Sequence, residues 1–135
     1  VTPPRIYVTA EVHRTRFVIP GEPIAWQRVS WWKGRGHTDP KVKRAKEAIG
    51  WAYKAAGGRM LEGPVYLGCE FALGERYKAA HLDPRDLDNM VKLVKDALEG
   101  VAYPNDRRVI YVAAAKVCSR EPRTWVVVSS AGVHA

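Results

Sequence analysis

Val65-Tyr66-Leu67-Gly68-Cys69-Glu70-Phe71-Ala72-Leu73 decides the architecture of this 135-residue chain. Val65, Leu67, Cys69, Phe71 and Leu73 alternate with Tyr66, Gly68, Glu70 and Ala72, a period of two that predicts a well-buried strand, and Gly74 ends it. Beyond it a polar loop from Glu75 to Arg85 leads into a helix. There Leu87, Met90 or Val91, Val94, Ala97 or Leu98 and Val101 make one apolar face, and Gly100 is the expected stop. Val109 to Val117 and Thr124 to Ser129 read as a closing antiparallel pair joined by the turn Ser119-Arg120-Glu121-Pro122-Arg123.

On the N-terminal side, Arg14 to Ile19 reads as a strand broken by Pro20-Gly21-Glu22-Pro23, and a second strand is expected from Ala25 to Trp31. Lys33-Gly34-Arg35-Gly36-His37 forms a basic tip. Thr38-Asp39-Pro40 then supplies a cap residue with proline at the first helical position. The helix runs from Pro40 to about Ala56, with Val42, Ala45, Ala48 or Ile49, Ala52 and Ala56 at helical spacing and Gly57-Gly58 as its end. The order strand, strand, helix, strand, helix, strand, strand predicts an α+β fold, a mixed β-sheet with two helices packed on it. The length fits a single domain over residues 1–135, with a loose start over residues 1–13.

The formal net charge is +8, and it is unevenly spread. Residues 1–60 hold 12 Lys/Arg against 4 Asp/Glu, and residues 61–135 hold 10 against 10. A basic arm therefore precedes an acidic region, a layout that suits a nucleic-acid partner. Cys69 and Cys118 lie on apolar stretches without CxxC or CxxH spacing, which argues against a zinc site or a disulfide framework and for a reducing cytoplasm. Apolar runs such as Trp125 to Val128 are too short to span a bilayer, and the opening residues show no signal-peptide core.

The chemistry concentrates in Arg85-Asp86-Leu87-Asp88-Asn89-Met90-Val91-Lys92, followed by Asp96-Ala97-Leu98, Gly100 and Asn105-Asp106. Asp86 and Asp88 are two apart at a helix entrance. On extended backbone their side chains point the same way and converge on one cation. Hard oxygen ligands without a His or Cys cluster favour Mg²⁺ or Mn²⁺ over Zn²⁺. Asp106 joins them only if the chain turns back after a helix of about Asn89 to Glu99. Lys92 stands four residues after Asp88 on the same helical face. Taken singly, these residues also fit a surface ion pair between Asp88 and Lys92 and an N-cap at Asp88.

These motifs resemble the RusA-type Holliday junction endodeoxyribonucleases, a family found largely in phages and prophages. The shared pattern is D-x-D-N-x-x-K, then D-A-L, then D-D-x-x-V. Here it reads Asp86-Leu87-Asp88-Asn89-Met90-Val91-Lys92, Asp96-Ala97-Leu98-Glu99-Gly100 and Asn105-Asp106-Arg107-Arg108-Val109. Phe17-Val18-Ile19-Pro20-Gly21-Glu22-Pro23 with Arg28 is similar to the family's opening strand and turn, so the likeness spans roughly Phe17 to Val128. It implies a homodimeric, Mg²⁺-dependent nuclease that nicks opposing strands of a four-way DNA junction, with Asp86, Asp88 and Asp106 as metal ligands and Lys92 as the catalytic lysine. Asn105 stands where the family often has an aspartate, and Arg28 stands alone where many relatives carry Arg-Pro-Arg.

Arg28, Lys33, Arg35, Lys41, Lys43, Arg44 and Lys46 are candidates for phosphate contacts, with Arg85 beside the metal site. Trp31 and Trp32 are candidates for stacking on unpaired bases. The competing reading is a DNA-binding accessory protein with an impaired site, motivated by Asn105. A nuclease for other branched DNA or for RNA is a further alternative.

Overall fold

The computed structural model describes residues 7–8, 12–26, 30–32, 34–37, 39–130 and 133–134. In chain order the elements are β1 (Tyr7–Val8), β2 (Arg14–Pro20), β3 (Ser30–Trp32), β4 (Arg35–His37), α1 (Pro40–Ala55), β5 (Val65–Leu73), α2 (Leu87–Leu98), β6 (Val109–Cys118), β7 (Arg123–Ser130) and β8 (Val133–His134). Short 3-10 turns occupy Glu75–Tyr77, Ala80–Leu82 and Asp106–Arg108. The fold is α+β, a mixed four-stranded sheet carrying two helices, as the periodicities predict.

β5 has the bounds the alternation predicts, and Val65, Leu67, Cys69, Phe71 and Leu73 are all buried. They share one core with Phe17 of β2, Val42, Ile49 and Tyr53 of α1, Met90, Leu93, Val94 and Leu98 of α2, and Val126 and Val128 of β7. Tyr53 and Leu93 belong to that core although the predicted stripes omit them. Ala48 and Ala56 are exposed. The Tyr53 ring meets Phe17 edge-on at 6.2 Å. It also lies so close to Gly58 that a Cβ there would come within 2.4 Å of it.

Strand order is β2-β7-β5-β6, with β2/β7 and β7/β5 antiparallel and β5/β6 parallel. The expected antiparallel pairing of the last two long strands is therefore wrong, because β5 lies between them. The deeply buried β5 takes the centre, where both its edges are hydrogen-bonded. The helical crossover through α2 delivers β6 parallel to it, as a connection of that length permits. The turn after β6 then passes over the end of β5, with Ser119 N donating to Leu73 O at 2.8 Å. β6 becomes an edge strand.

The second correction concerns the strand expected from Ala25 to Trp31. Ala25 and Trp26 are not in a strand, and Ser30–Trp32 pairs with Arg35–His37 in a separate two-stranded hairpin. Residues 27–29 lie outside the described residues. The segment is tied to a helix instead of the sheet: Trp26 N donates to Asn89 O at 2.9 Å.

Both helix starts follow from local chemistry. Asp39 caps α1 by accepting from Lys41 N at 2.7 Å, with Pro40 behind it. α2 begins at Leu87, two residues earlier than expected, because Asp86 is its N-cap. Gly100, at φ +81°, takes the left-handed conformation just past its end.

Candidate active site

Asp86 is exposed, on extended backbone (φ −79°, ψ 129°), and its Oδ1 accepts from Asp88 N at 3.0 Å. The cap is thus Asp86, where the sequence suggested Asp88. Asp88 sits in the first helical turn and is exposed. One turn on, Lys92 lies along the same edge of α2.

The chain does turn back. After Gly100 the buried Ala102 donates from its N to Leu98 O at 2.7 Å and accepts from Leu61 N at 2.7 Å. The fully buried Tyr103 donates its hydroxyl to Lys95 O at 2.7 Å, and burial raises its pKa above the ordinary phenol value. This doubling-back brings Asp106 alongside α2. Asp88, Lys92, Lys95, Asp96 and Asp106 then line one open pocket of about 270 Å³. Asn105 is not among its lining residues; its Oδ1 accepts from Arg107 N at 3.0 Å and caps the 3-10 turn that carries Asp106. An amide serves that purpose as well as a carboxylate.

Asp86 does not line this pocket; its carboxylate is turned to its own helix N-terminus. Among the described residues no three His, Cys, Asp or Glu side chains converge as a set that could hold a metal ion. The donor chemistry nevertheless fits a hard divalent cation. Asp88, Asp96 and Asp106 bring carboxylates to a solvent-open pocket, and Mg²⁺ typically uses few carboxylates while keeping waters and substrate phosphate. Asp96 is a lining residue that the sequence reading quoted without a role. Its spacing of eight from Asp88 and four from Lys92 was the available signal.

Lys92 does not pair with Asp88. Its Nζ lies 3.6 Å from the centroid of the Trp26 ring, a close cation–π contact. Among the described residues the ion pairs belong to Arg85, whose guanidinium donates to Asp83 through Nε at 3.0 Å and Nη2 at 2.7 Å. Its Nη1 donates to Glu22 Oε2 at 2.7 Å and to Pro23 O at 3.1 Å. Arg85, expected as a phosphate contact, is thus occupied in a knot that fixes the residue before Asp86.

Two more elements enter that knot. Glu22 also accepts from Gly74 N at the end of β5, and Lys116 of β6 donates its ammonium to Asp83 O at 3.0 Å and Arg85 O at 2.9 Å. The hydrogen-bonded Arg85 holds the buried Asp83 carboxyl below the usual carboxylate range, and the same partners raise the guanidinium further above its ordinary value. Sequence reasoning missed Glu22, Asp83 and Lys116; Glu22 and Lys116 reach Arg85 across 63 and 31 residues, which no local pattern marks, whereas Asp83 lies only two residues before it.

Of the basic candidates, Lys41, Lys43 and Arg44 are exposed on the first turns of α1, and Lys46 is half-buried further along. Arg28 and Lys33 lie outside the described residues, as do the side chains of Arg35, Trp31 and Trp32.

An α+β domain with carboxylates and lysines around an open pocket, beside a helix carrying five basic residues against one acidic, has the layout of a nuclease that acts on a phosphate backbone. The model of the family described as Endodeoxyribonuclease RusA matches residues 20–129, and the chain belongs to that family. It is accordingly an endodeoxyribonuclease, a hydrolase acting on DNA, of a family that acts on Holliday junctions and binds branched DNA. Such nucleases generally depend on a divalent metal. No curated protein matches the chain at a significant level. Among the described residues no helix is long and apolar enough to cross a membrane.

Proposed function

We propose that this protein resolves four-way DNA junctions by paired, Mg²⁺-dependent nicking of opposing strands in DNA recombination or repair. The observation that carries this reading is the shared pocket of Asp88, Lys92 and Asp106, built by the doubling-back after α2. Asp88 and Asp106 would hold the cation, with Mn²⁺ an acceptable substitute, and Asp86 would join them by releasing Asp88 N. A bound divalent cation lowers the pKa of water and offsets charge building up at phosphorus. Lys92 contributes a positive charge to the scissile phosphate and its leaving oxygen. Tyr103 and the Asn105 cap hold the Asp106 turn, while the Arg85 knot holds the entrance to α2. Lys41, Lys43, Arg44 and Lys46 grip the backbone without reading sequence. Arg28, Lys33 and Arg35 would extend that grip.

Paired nicking calls for two sites related by a two-fold axis, and we assign the second to another copy of this chain. The support is the sheet face opposite the helices. Across it run two rows, Arg16-Val127-Gly68-Ala113 and Val18-Trp125-Glu70-Ala115, flanked by Tyr66 beside Tyr111. A sheet face open to water normally carries polar side chains, whereas this one stays largely apolar. Its charges are self-complementary in a two-fold pairing, with Arg14 and Arg16 at one edge and Glu70 at the centre. The free edge of β6, with Ile110, Tyr111 and Val112 exposed, is likewise a pairing surface. The free thiols Cys69 and Cys118 suit a reducing bacterial cytoplasm, with a phage or prophage as source.

The test is incubation with a labelled four-way junction and a matched duplex, in Mg²⁺ and in EDTA. Symmetric nicks in the junction alone, with Mg²⁺ alone, support the reading. A junction that is bound and left uncut would overturn it in favour of an accessory role.

A further inference from the structure

Trp51, in the C-terminal half of α1, is 71% exposed, the most exposed of the large apolar side chains among the described residues. The buried face of α1 carries Val42, Ile49 and Tyr53, so Trp51 has no part in the core. It forms one wall of a second pocket, of about 350 Å³, whose floor is Gly50, Ala97 and Val101 where α1 meets α2. That volume is within the ~300–1,000 Å³ of small-molecule sites. Lys46, Glu47, Lys54 and Asp96 make its rim, and Lys54 Nζ lies 5.5 Å from the Trp51 ring centroid.

Asp96 also lines the pocket of Asp88, Lys92 and Asp106, so the two pockets share a wall. We propose that Trp51 and this pocket form a platform for an unpaired nucleobase of the branched DNA, next to the strand held at the carboxylates; this rests on the nuclease reading above. The chemistry selects a base over a bare phosphate. The two lysines and two carboxylates of the rim cancel, so it offers a phosphate no net attraction, whereas a base edge offers donors to Glu47 and Asp96 and acceptors to Lys46 and Lys54. An indole face stacks on any base without sequence preference. The rest of α1, with Lys41, Lys43 and Arg44, carries the charge that holds the adjoining backbone.

The experiment compares the whole protein with its Trp51→Ala and Trp51→Phe variants in EDTA, binding a fluorescein-labelled four-way junction, a duplex and a single-stranded oligonucleotide. Trp51→Ala weakens junction and single-strand binding by roughly tenfold, the scale of one base–aromatic stack, and leaves duplex binding unchanged. Trp51→Phe restores most of the loss, and the salt slope is the same in all three proteins because each keeps every cationic side chain. Equal affinity of wild type and Trp51→Ala for the single strand overturns the proposal, as does an equal loss on duplex. A shift of Trp51→Ala toward monomer in sedimentation also overturns it, assigning the indole to contact with a second copy. Wild type that binds junction no better than duplex defeats the junction reading instead; the single-strand comparison still decides the role of Trp51.

Discussion

The Lys92 ammonium rests 3.6 Å from the centroid of the Trp26 indole, and Trp26 is itself fastened to α2 by its backbone N–H on Asn89 O at 2.9 Å. A flexible four-carbon side chain is thereby held at the rim of the carboxylate pocket. Replacing Trp26 with Leu frees the ammonium. A contact of ~0.5–2 kcal/mol corresponds to a loss of roughly 2- to 30-fold. The expected result is such a drop in the single-turnover cleavage rate with junction affinity nearly unchanged, and recovery in Trp26→Phe. An unchanged rate would separate the indole from the function of Lys92.

Asp86→Asn keeps the N-cap, because an amide oxygen accepts from Asp88 N as a carboxylate does. Folding therefore survives while a candidate metal ligand loses its charge. Cleavage should fall by about 100-fold or more with junction binding intact. A variant that still cuts would confine Asp86 to capping.

Asp83 gives the molecule an acid-labile point. Its pKa is depressed in the folded protein by Arg85, so its stabilising contribution is complete above the unfolded carboxylate value of about 4 and is lost as pH falls through the folded value. Wild type should lose thermal stability steeply on the acid side of pH 4. Asp83→Asn should start from a lower melting temperature at pH 7 and lose less of it on acidification. Arg85→Ala, which strands the buried carboxylate, should cost about 2–4 kcal/mol in urea unfolding at pH 7. Parallel pH profiles for wild type and Asp83→Asn would remove the carboxylate as the cause.

On α1, neutralising Lys41, Lys43 and Arg44 together should weaken junction and duplex alike. The slope of log affinity against log salt should flatten by about 0.9 for each phosphate that is no longer neutralised. A slope that does not change places the DNA elsewhere on the surface.

Tyr111 is 58% exposed on β6 and contributes nothing to the core. Tyr111→Glu should convert the proposed dimer to a monomer in sedimentation and abolish the proposed paired nicking, while melting as a folded domain. Retained dimerisation would move the interface off this sheet face.

Much of this protein is legible along the chain because the deciding forces act over a few residues. The alternation of Val65 to Leu73 is the pleat of a strand with one face in the core. Asp39-Pro40 and Gly100 mark helix ends because orphaned backbone groups there need a cap or a left-handed turn. The aspartates and Lys92 of the RusA-like motif are equally local, and all lie within the matched residues 20–129. Where the reading slipped at α2, the slip was between two possible caps, Asp86 and Asp88, two residues apart.

Strand order was decided only in three dimensions. Periodicity tells which face of β6 or β7 points inward, and says nothing about which neighbour supplies hydrogen bonds; the burial of β5 and the crossover through α2 settled that. The same holds for the polar partners. Arg85 gives a donor to Glu22 because the fold closes a gap of 63 residues, and Lys92 lies on Trp26 because the segment after β2 docks on α2. Local sequence determined the elements and the reactive groups. Which groups face one another was determined by packing, since a side chain's partner depends on where the rest of the chain must go to bury its apolar surface.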